Sequence, residues 1–539
     1  MGQKMTTSLE SRSRTLEPDS EKIVRIVFFI IVLLYICDWA WKVFWLIRLP
    51  YTTEYRDLAT IQLTELFSRN VNPYSPENSP PFFYLYGFLF SLVVSLLARL
   101  ANFNLLLLHK VVTLLCVLCV SFLVSLEVRR NTKSLLLQTF GFALMLTTSW
   151  NAAPFIIRPD SFGLLIILLI PFILRRNNSF PAIAISAFLT IASFYTKQYF
   201  IFIAASVFMH ELFEDWRKAV YYIAVTLLVG TGSFFLVRAV FPNFFYASLV
   251  AQANSVGGSL RHLLLQSLAF AARTWPLFLL MCYPVGKKII QHIAGHPEGT
   301  GAPKRVGGEA GGDSSLRIYY CIFSVAAVCL IFIGTNKGAW LSYYYQLALP
   351  SMTIVGLSML AKIEHRFWRA IFLLSIAVAS LFFVADAIRK RKFDIFPPIT
   401  KSEKMPWERA YSLLDQKRSS QMLLAPIFAD YICKNGLEPV DNGNTEYYTN
   451  LRINNRTIIM KVLGLLLPDI GDQFGRYVAW RVTLSENVRE QRYSIIAITK
   501  KFDPLVDQDD LDKYYHRIDE VQLHLADEYW TIVFWIPNR

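Results

Sequence analysis

Two acids three residues apart, Glu54 and Asp57, open the first polar stretch, YTTEYRDLATIQLTELFSRNVNPYSPENSPPFFYLY at 51–86. On a helix that spacing sets both carboxylates on one face. One of them can serve as general base toward a hydroxyl. Alternatively, the pair can hold a divalent cation, magnesium or manganese, on oxygen ligands. The spacing equally fits a solvated loop acid and a helix N-cap. A third acid, Asp160, stands two residues after Arg158 in IIRPDSFGLL. Lys197 and Gln198 sit in FYTKQYF, and Lys337 in GTNKGAWLSYYYQ, where small flanking residues permit close backbone approach. Singly, each has an ordinary explanation: Pro-Asp-Ser starts helices, and a cation at a membrane end reaches for the interface. Together the cations suit an anionic phosphate, while an acid takes the proton of a hydroxyl.

These residues need elements to position them, and the composition says which. The chain has 539 residues, 54% hydrophobic and only 17% charged, with mean hydropathy +0.37. Apolar runs long enough to cross a bilayer recur through position 385. In lipid such runs must be helices. The expected fold class is therefore a polytopic α-helical membrane protein carrying a C-terminal α/β domain. Residues 1–22 form a polar tail, 23–386 the membrane module with its loop at 50–86, and 387–539 the soluble domain. The first span carries one acid, Asp38, a candidate either for function or for pairing inside the bundle. The net charge of +14 lies in short clusters between apolar runs, which points to lipid headgroups and not to nucleic acid. Cys116 and Cys119 form a CxxC on an apolar run with no polar partner nearby, a weak metal or redox signal.

Placing the Arg/Lys clusters at 129–130, 175–176, 217–218, 287–288 and 362–366 on the inner side fixes the rest by alternation. The loop 51–86, Arg158 and Asp160, Lys197 and Gln198, residues 241–262 and Lys337 then all fall outside, as does the C-terminal domain. The count is about 11 helical spans, with up to 13 tolerable, when 82–100 is laid along the outer surface. In the tail, QMLLAPI, YSIIAIT and YWTIVFWIP read as strands. The tail's histidines, His516 and His524, are given no catalytic part.

The chain resembles the GT-C type membrane glycosyltransferases, in the broad bacterial group related to protein mannosyltransferases and aminoarabinose transferases. The resemblance is carried by the acidic loop running into NPYSPENSPPFFYLYGFLF, by IIRPDSFGLL, by FYTKQYFIFIAAS and by NKGAWLSYYYQLALP. QMLLAPIFADYICKNGLEPV and VREQRYSIIAI extend it into the tail. It implies an inverting transfer of a sugar from a polyprenyl-phosphate donor to a hydroxyl of a glycan, lipid or protein. It places the protein in the cell inner or plasma membrane, with the site and C-terminal domain extracytoplasmic. It makes Glu54 or Asp57 the base, with Asp160 a second acid near the reacting centre. It assigns Arg158, Lys197 and Lys337 to the donor phosphate, and Tyr86, Gln198, Tyr344 and Gln346 to the pocket lining. The sequence departs from many relatives at Gly87-Phe88, where they carry Pro, and reads EYRD where they carry a plain acid pair. Two other readings compete. A lipid-linked glycan transporter needs ionisable groups at mid-bilayer and inverted repeats, and of these the sequence offers only Asp38. A non-enzymatic membrane scaffold accounts for the tail but leaves the outer-face charges without a purpose.

Overall fold

The computed structural model describes residues 26–37, 55–78, 84–101, 104–152, 159–176, 178–250, 260–293, 312–336, 342–363, 366–390, 401–419, 421–428, 470–499, 506–525 and 528–538, with a few single residues between. The membrane module is built from α1 (Ile26–Trp41), α2 (Tyr55–Ser68), α3 (Leu89–Ala101), α4 (Leu105–Thr132), α5 (Leu135–Ala152), α6 (Asp160–Arg176) and α7 (Phe180–Thr196). It continues through α8 (Ile203–Glu214), α9 (Trp216–Val240), α10 (Leu260–Ile293), α11 (Gly312–Asn336), α12 (Ser342–Leu360) and α13 (Arg366–Lys390). Among the described residues, three helices are long and apolar enough to cross a membrane, within α4, α9 and α10, and shorter apolar helices accompany them. The chain is a polytopic α-helical membrane protein. Its main core cluster joins α1 with α4 to α13 and includes Phe140, Ile167, Phe200, Tyr319 and Leu357, while α2 and α3 pack into separate clusters beside it. Leu227, Leu228, Phe235 and Leu236 of α9 point outward, as a lipid-facing helix requires.

Local chemistry sets the helix ends. Asn104 caps α4 by accepting from the Leu107 amide at 3.1 Å, and Lys133 closes it in the left-handed region, φ 54°. Asn70, φ 60°, ends α2 the same way, and the Val71 amide reaches back to the Leu66 carbonyl at 2.8 Å. The surface helix expected over 82–100 is shorter than its apolar run. Only α3, 13 residues and about 20 Å long, is helical, too short to cross a bilayer alone.

Three of the five charge clusters assigned to one membrane side, those around 129–130, 175–176 and 217–218, come together. Glu127 accepts from Arg130 at 3.1 Å and from Arg175 at 3.0 Å, and Lys218 donates to the Asn178 carbonyl at 2.7 Å. At the opposite end the Asn-rich loop folds against the exit of α9. There Asn72 Nδ2 donates to the Val240 carbonyl at 2.7 Å and the Asn243 amide to the Tyr74 carbonyl at 3.1 Å. Asp38, the acid of the first span, lies outside the described residues. Elsewhere in the apolar helices His109, Lys110, Glu127, His210 and Glu211 are buried. Each lies within about two turns of a helix end, near the interfaces and away from mid-bilayer.

The C-terminal domain comprises α14 (Lys401–Gln416), α15 (Ile470–Arg489), α16 (Gln508–Tyr514) and a four-stranded sheet. The strands are β1 (Leu423–Leu424), β2 (Ile496–Thr499), β3 (Tyr515–Leu525) and β4 (Glu528–Pro537), in the order β1-β2-β4-β3. Only β1 and β2 are parallel. The three expected strands are β1, β2 and β4. Sequence reading missed β3, an edge strand whose YHRIDEVQLHL pattern is interrupted by a register shift between Arg517 and Asp519. Tyr477 and Trp480 of α15 join the aromatic cluster of Tyr74, Phe88, Tyr195 and Phe244. The domain therefore stands at the end of the bundle that holds the Asn-rich loop.

Candidate active site

α7 stops at Thr196, and Lys197 takes extended backbone, φ −160°, before a short 3-10 turn, Gln198–Phe202. The break turns Lys197 inward. Its ammonium Nζ donates to both oxygens of Asp160, at 2.8 Å and 3.0 Å, and each residue is only 3% exposed. Asp160 sits in the first turn of α6, where the helix dipole favours a carboxylate. It also accepts a hydrogen bond from the Tyr199 hydroxyl. The Tyr86 ring lies 4.3 Å from Lys197 Nζ, and the Tyr199 ring 4.9 Å, both within cation–π range.

Two glycines make this convergence possible. A Cβ on Gly87 would lie 1.9 Å from the Tyr195 carbonyl oxygen, so only glycine lets the 84–88 strap lie flat on the α7 corner. A Cβ on Gly163 would lie 2.1 Å from the Phe200 ring, which seats the 3-10 turn on the first turn of α6. The strap is then tied down by Gln198, whose Nε2 donates to the Leu85 carbonyl at 2.8 Å.

α2 joins the site through the same strap. Thr60 Oγ1 and the Tyr84 hydroxyl are 3.1 Å apart, and Tyr84 packs edge-on against Tyr86, centroids 5.7 Å apart. Asp57 precedes Thr60 by three positions, so its place on α2 lies on the face that meets the strap. One turn further, Thr64 contacts His109 of α4 at 2.9 Å.

The expected site residues therefore divide. Asp160, Lys197, Gln198 and Tyr86 come together. Glu54, Arg158 and Lys337 lie outside the described residues, as do the side chains of Asp57, Tyr344 and Gln346, although Asp57 is placed on α2 and the latter two on α12. The suggested cation position, Glu54 with Asp57, is likewise outside them. Sequence reading missed Tyr199, Tyr84, Thr60 and His109. Tyr199 was within reach, two residues past Lys197 in the same motif, but a helical period puts residues two apart on different faces, and the 3-10 turn undoes that.

No family model matches the sequence, and no curated protein matches it. Among solved structures, the chain is similar to ArnT from Cupriavidus metallidurans bound to undecaprenyl phosphate. The identity is 12%, the TM-score 0.49, and the alignment covers 94% of this chain and 97% of that one. At that score the likeness is one of general path and assigns neither chemistry nor residues.

Proposed function

We propose that the protein is a membrane glycosyltransferase that moves a sugar from a polyprenyl-phosphate-linked donor to a hydroxyl acceptor, with inversion, on the outer face of the membrane. One observation carries this reading. A buried ammonium, Lys197, is aimed by Asp160 and walled by Tyr86 and Tyr199 at the end of an apolar bundle. Such a cation suits a phosphate whose lipid tail runs down between helices.

In this mechanism the acceptor oxygen attacks the sugar's anomeric carbon as the bond from that carbon to the phosphate oxygen breaks. The bonding pair leaves with the phosphate, and Lys197, with Arg158 and Lys337, stabilises the charge that grows there. Asp160 keeps the buried ammonium compensated before the donor arrives, since an unpaired charge there is costly. A carboxylate so engaged by Lys197 and Tyr199 is a poor proton acceptor. The hydroxyl proton is therefore assigned to Glu54 or to Asp57, the latter in the first turn of α2. Tyr344 and Gln346, at the start of α12, line the donor side with Tyr86 and Gln198. The C-terminal domain stands at the same end, beside the acceptor.

The test is transfer of radiolabelled sugar from synthetic polyprenyl phosphates by the purified protein in detergent. The reading expects transfer or slow hydrolysis with at least one donor, reduced by about 10²–10³ in Lys197→Ala. It also expects one of Glu54→Gln and Asp57→Asn to be nearly inactive. No turnover with any donor contradicts the enzyme, and transport of the intact lipid would take its place.

A further inference from the structure

In the C-terminal domain, an open cavity of about 810 Å³ lies between β2, β3, β4 and α16, within the size range of small-molecule sites. Its floor is apolar and aromatic: Trp535, Tyr515, Val533 and Ile498 line it. The first three belong to the packed sheet face and are at most 8% exposed, so the floor is rigid and shows the cavity little of either ring. Its rim is made of side chains that hydrogen-bond to one another and to the backbone. Gln508 Nε2 donates to Asp512 Oδ1 at 3.0 Å. His516 Nδ1 and Asn538 Oδ1 are 3.0 Å apart, while Asn538 Nδ2 donates to the Lys513 carbonyl at 3.1 Å. These contacts hold each rim group in place, and the rim is exposed to solvent at Gln508, Asp512 and His516.

The chemistry selects one class of ligand. An anion site needs surplus positive charge, but the rim's Arg517 is ion-paired with Glu520 and Asp512 adds an acid. A divalent cation needs several oxygen ligands carrying charge, and Asp512 is the lone carboxylate among the described lining residues. A lipid chain would leave the polar rim without partners. A sugar ring matches both halves: its C–H groups rest on the apolar floor, and its neighbouring hydroxyls pair with the amide and carboxylate groups of the rim.

We propose that this cavity is a saccharide-binding site, distinct from the Lys197 centre. α15 connects the two regions. Trp480 packs both in the sheet-face cluster that includes Trp535 and in the aromatic layer that includes Tyr195. A saccharide held here is therefore on the Lys197 end of the molecule. Its service as a remote part of the acceptor rests on the function proposed above; its binding does not.

The experiment is binding of the full-length protein, in a detergent without a sugar headgroup, to an array of mono- to tetrasaccharides of hexose, pentose and amino-sugar units. The strongest ligand is then titrated by saturation-transfer NMR. The site predicts at least one ligand for the wild type and about tenfold or greater weakening in Asp512→Ala/Gln508→Ala, both exposed and able to fold as the wild type does. Lys197→Met/Asp160→Leu, without transferase activity and matched to the wild type in stability, is expected to bind the saccharide normally, which separates this site from the catalytic reading. No retained saccharide, unchanged affinity in Asp512→Ala/Gln508→Ala, loss of binding in Lys197→Met/Asp160→Leu, or displacement by inorganic phosphate at similar affinity would each overturn the proposal.

Discussion

Lys197 and Asp160 are a buried pair, so removing one charge leaves the other uncompensated at a cost of about 3–5 kcal/mol. Lys197→Met alone should therefore lower thermal stability strongly in detergent, as should Asp160→Leu alone. The double variant Lys197→Met/Asp160→Leu should recover most of the loss, because apolar replacement of a buried pair is often neutral. Its transferase activity should stay absent. Recovery of both stability and activity would make the pair purely structural. Gly87 offers a second test at this scale. Gly87→Ala drives a methyl into the Tyr195 carbonyl and should destabilise the fold by about 1–3 kcal/mol while weakening donor use. Gly232→Ala, on α9 with nothing near the added carbon, should be neutral or slightly stabilising. Thermal melts of the two variants side by side check this. In the sequence, Asp160, Lys197 and Gln198 were legible because charged and amide groups next to apolar runs are conspicuous. Tyr199, Tyr84 and Thr60 were not, since a tyrosine or threonine in a membrane helix looks like packing until its hydroxyl partner is known.

At the scale of elements, the site depends on a helix that ends early and a loop that lies flat. The break at Lys197 is signalled by polar residues between two apolar runs. The 3-10 turn after it and the strap at 84–88 are set by tertiary contacts, Phe200 on Gly163 and Leu85 on Gln198. The same limit hid β3, whose buried Tyr515, Val521 and Leu523 alternate only on either side of a register shift. α14 is fastened to the domain by Tyr431, which donates to Asp415 at 2.8 Å. Burial, and then this hydrogen bond to a carboxylate, push the Tyr431 hydroxyl well above its ordinary range. A raised folded pKa means the contact stabilises fully below the unfolded value, about 10, and is lost as pH rises beyond it. Tyr431→Phe should cost about 1 kcal/mol at neutral pH, and that deficit relative to wild type should shrink above about pH 10. Melting curves of both proteins from pH 7 to about 11 read this directly. A deficit that stays constant across this range would contradict the raised hydroxyl, and no deficit at pH 7 would show that the hydrogen bond contributes nothing.

Over the whole molecule, the two ends differ in kind. One gathers Glu127, Arg130, Arg175 and Lys218; the other gathers the Asn-rich loop, the aromatic layer, the Lys197 centre and the C-terminal domain. Alternation of charge clusters along the sequence anticipated that sorting, because positive loops mark one membrane side regardless of how helices pack. Helix lengths were less legible, since buried segments such as α3 and α8 are apolar without spanning alone. Cysteines placed at exposed Glu77 and Lys133 should react with impermeant maleimide from opposite sides of the membrane. Labelling from one side would break the topology. The central claim is that donor phosphate is held at Lys197, and direct titration of undecaprenyl phosphate onto the purified protein tests it most closely. Wild type should bind, and the stability-matched variant Lys197→Met/Asp160→Leu should bind about 10–100-fold more weakly, the loss of one charged hydrogen bond. Equal affinity in the two proteins would contradict the account.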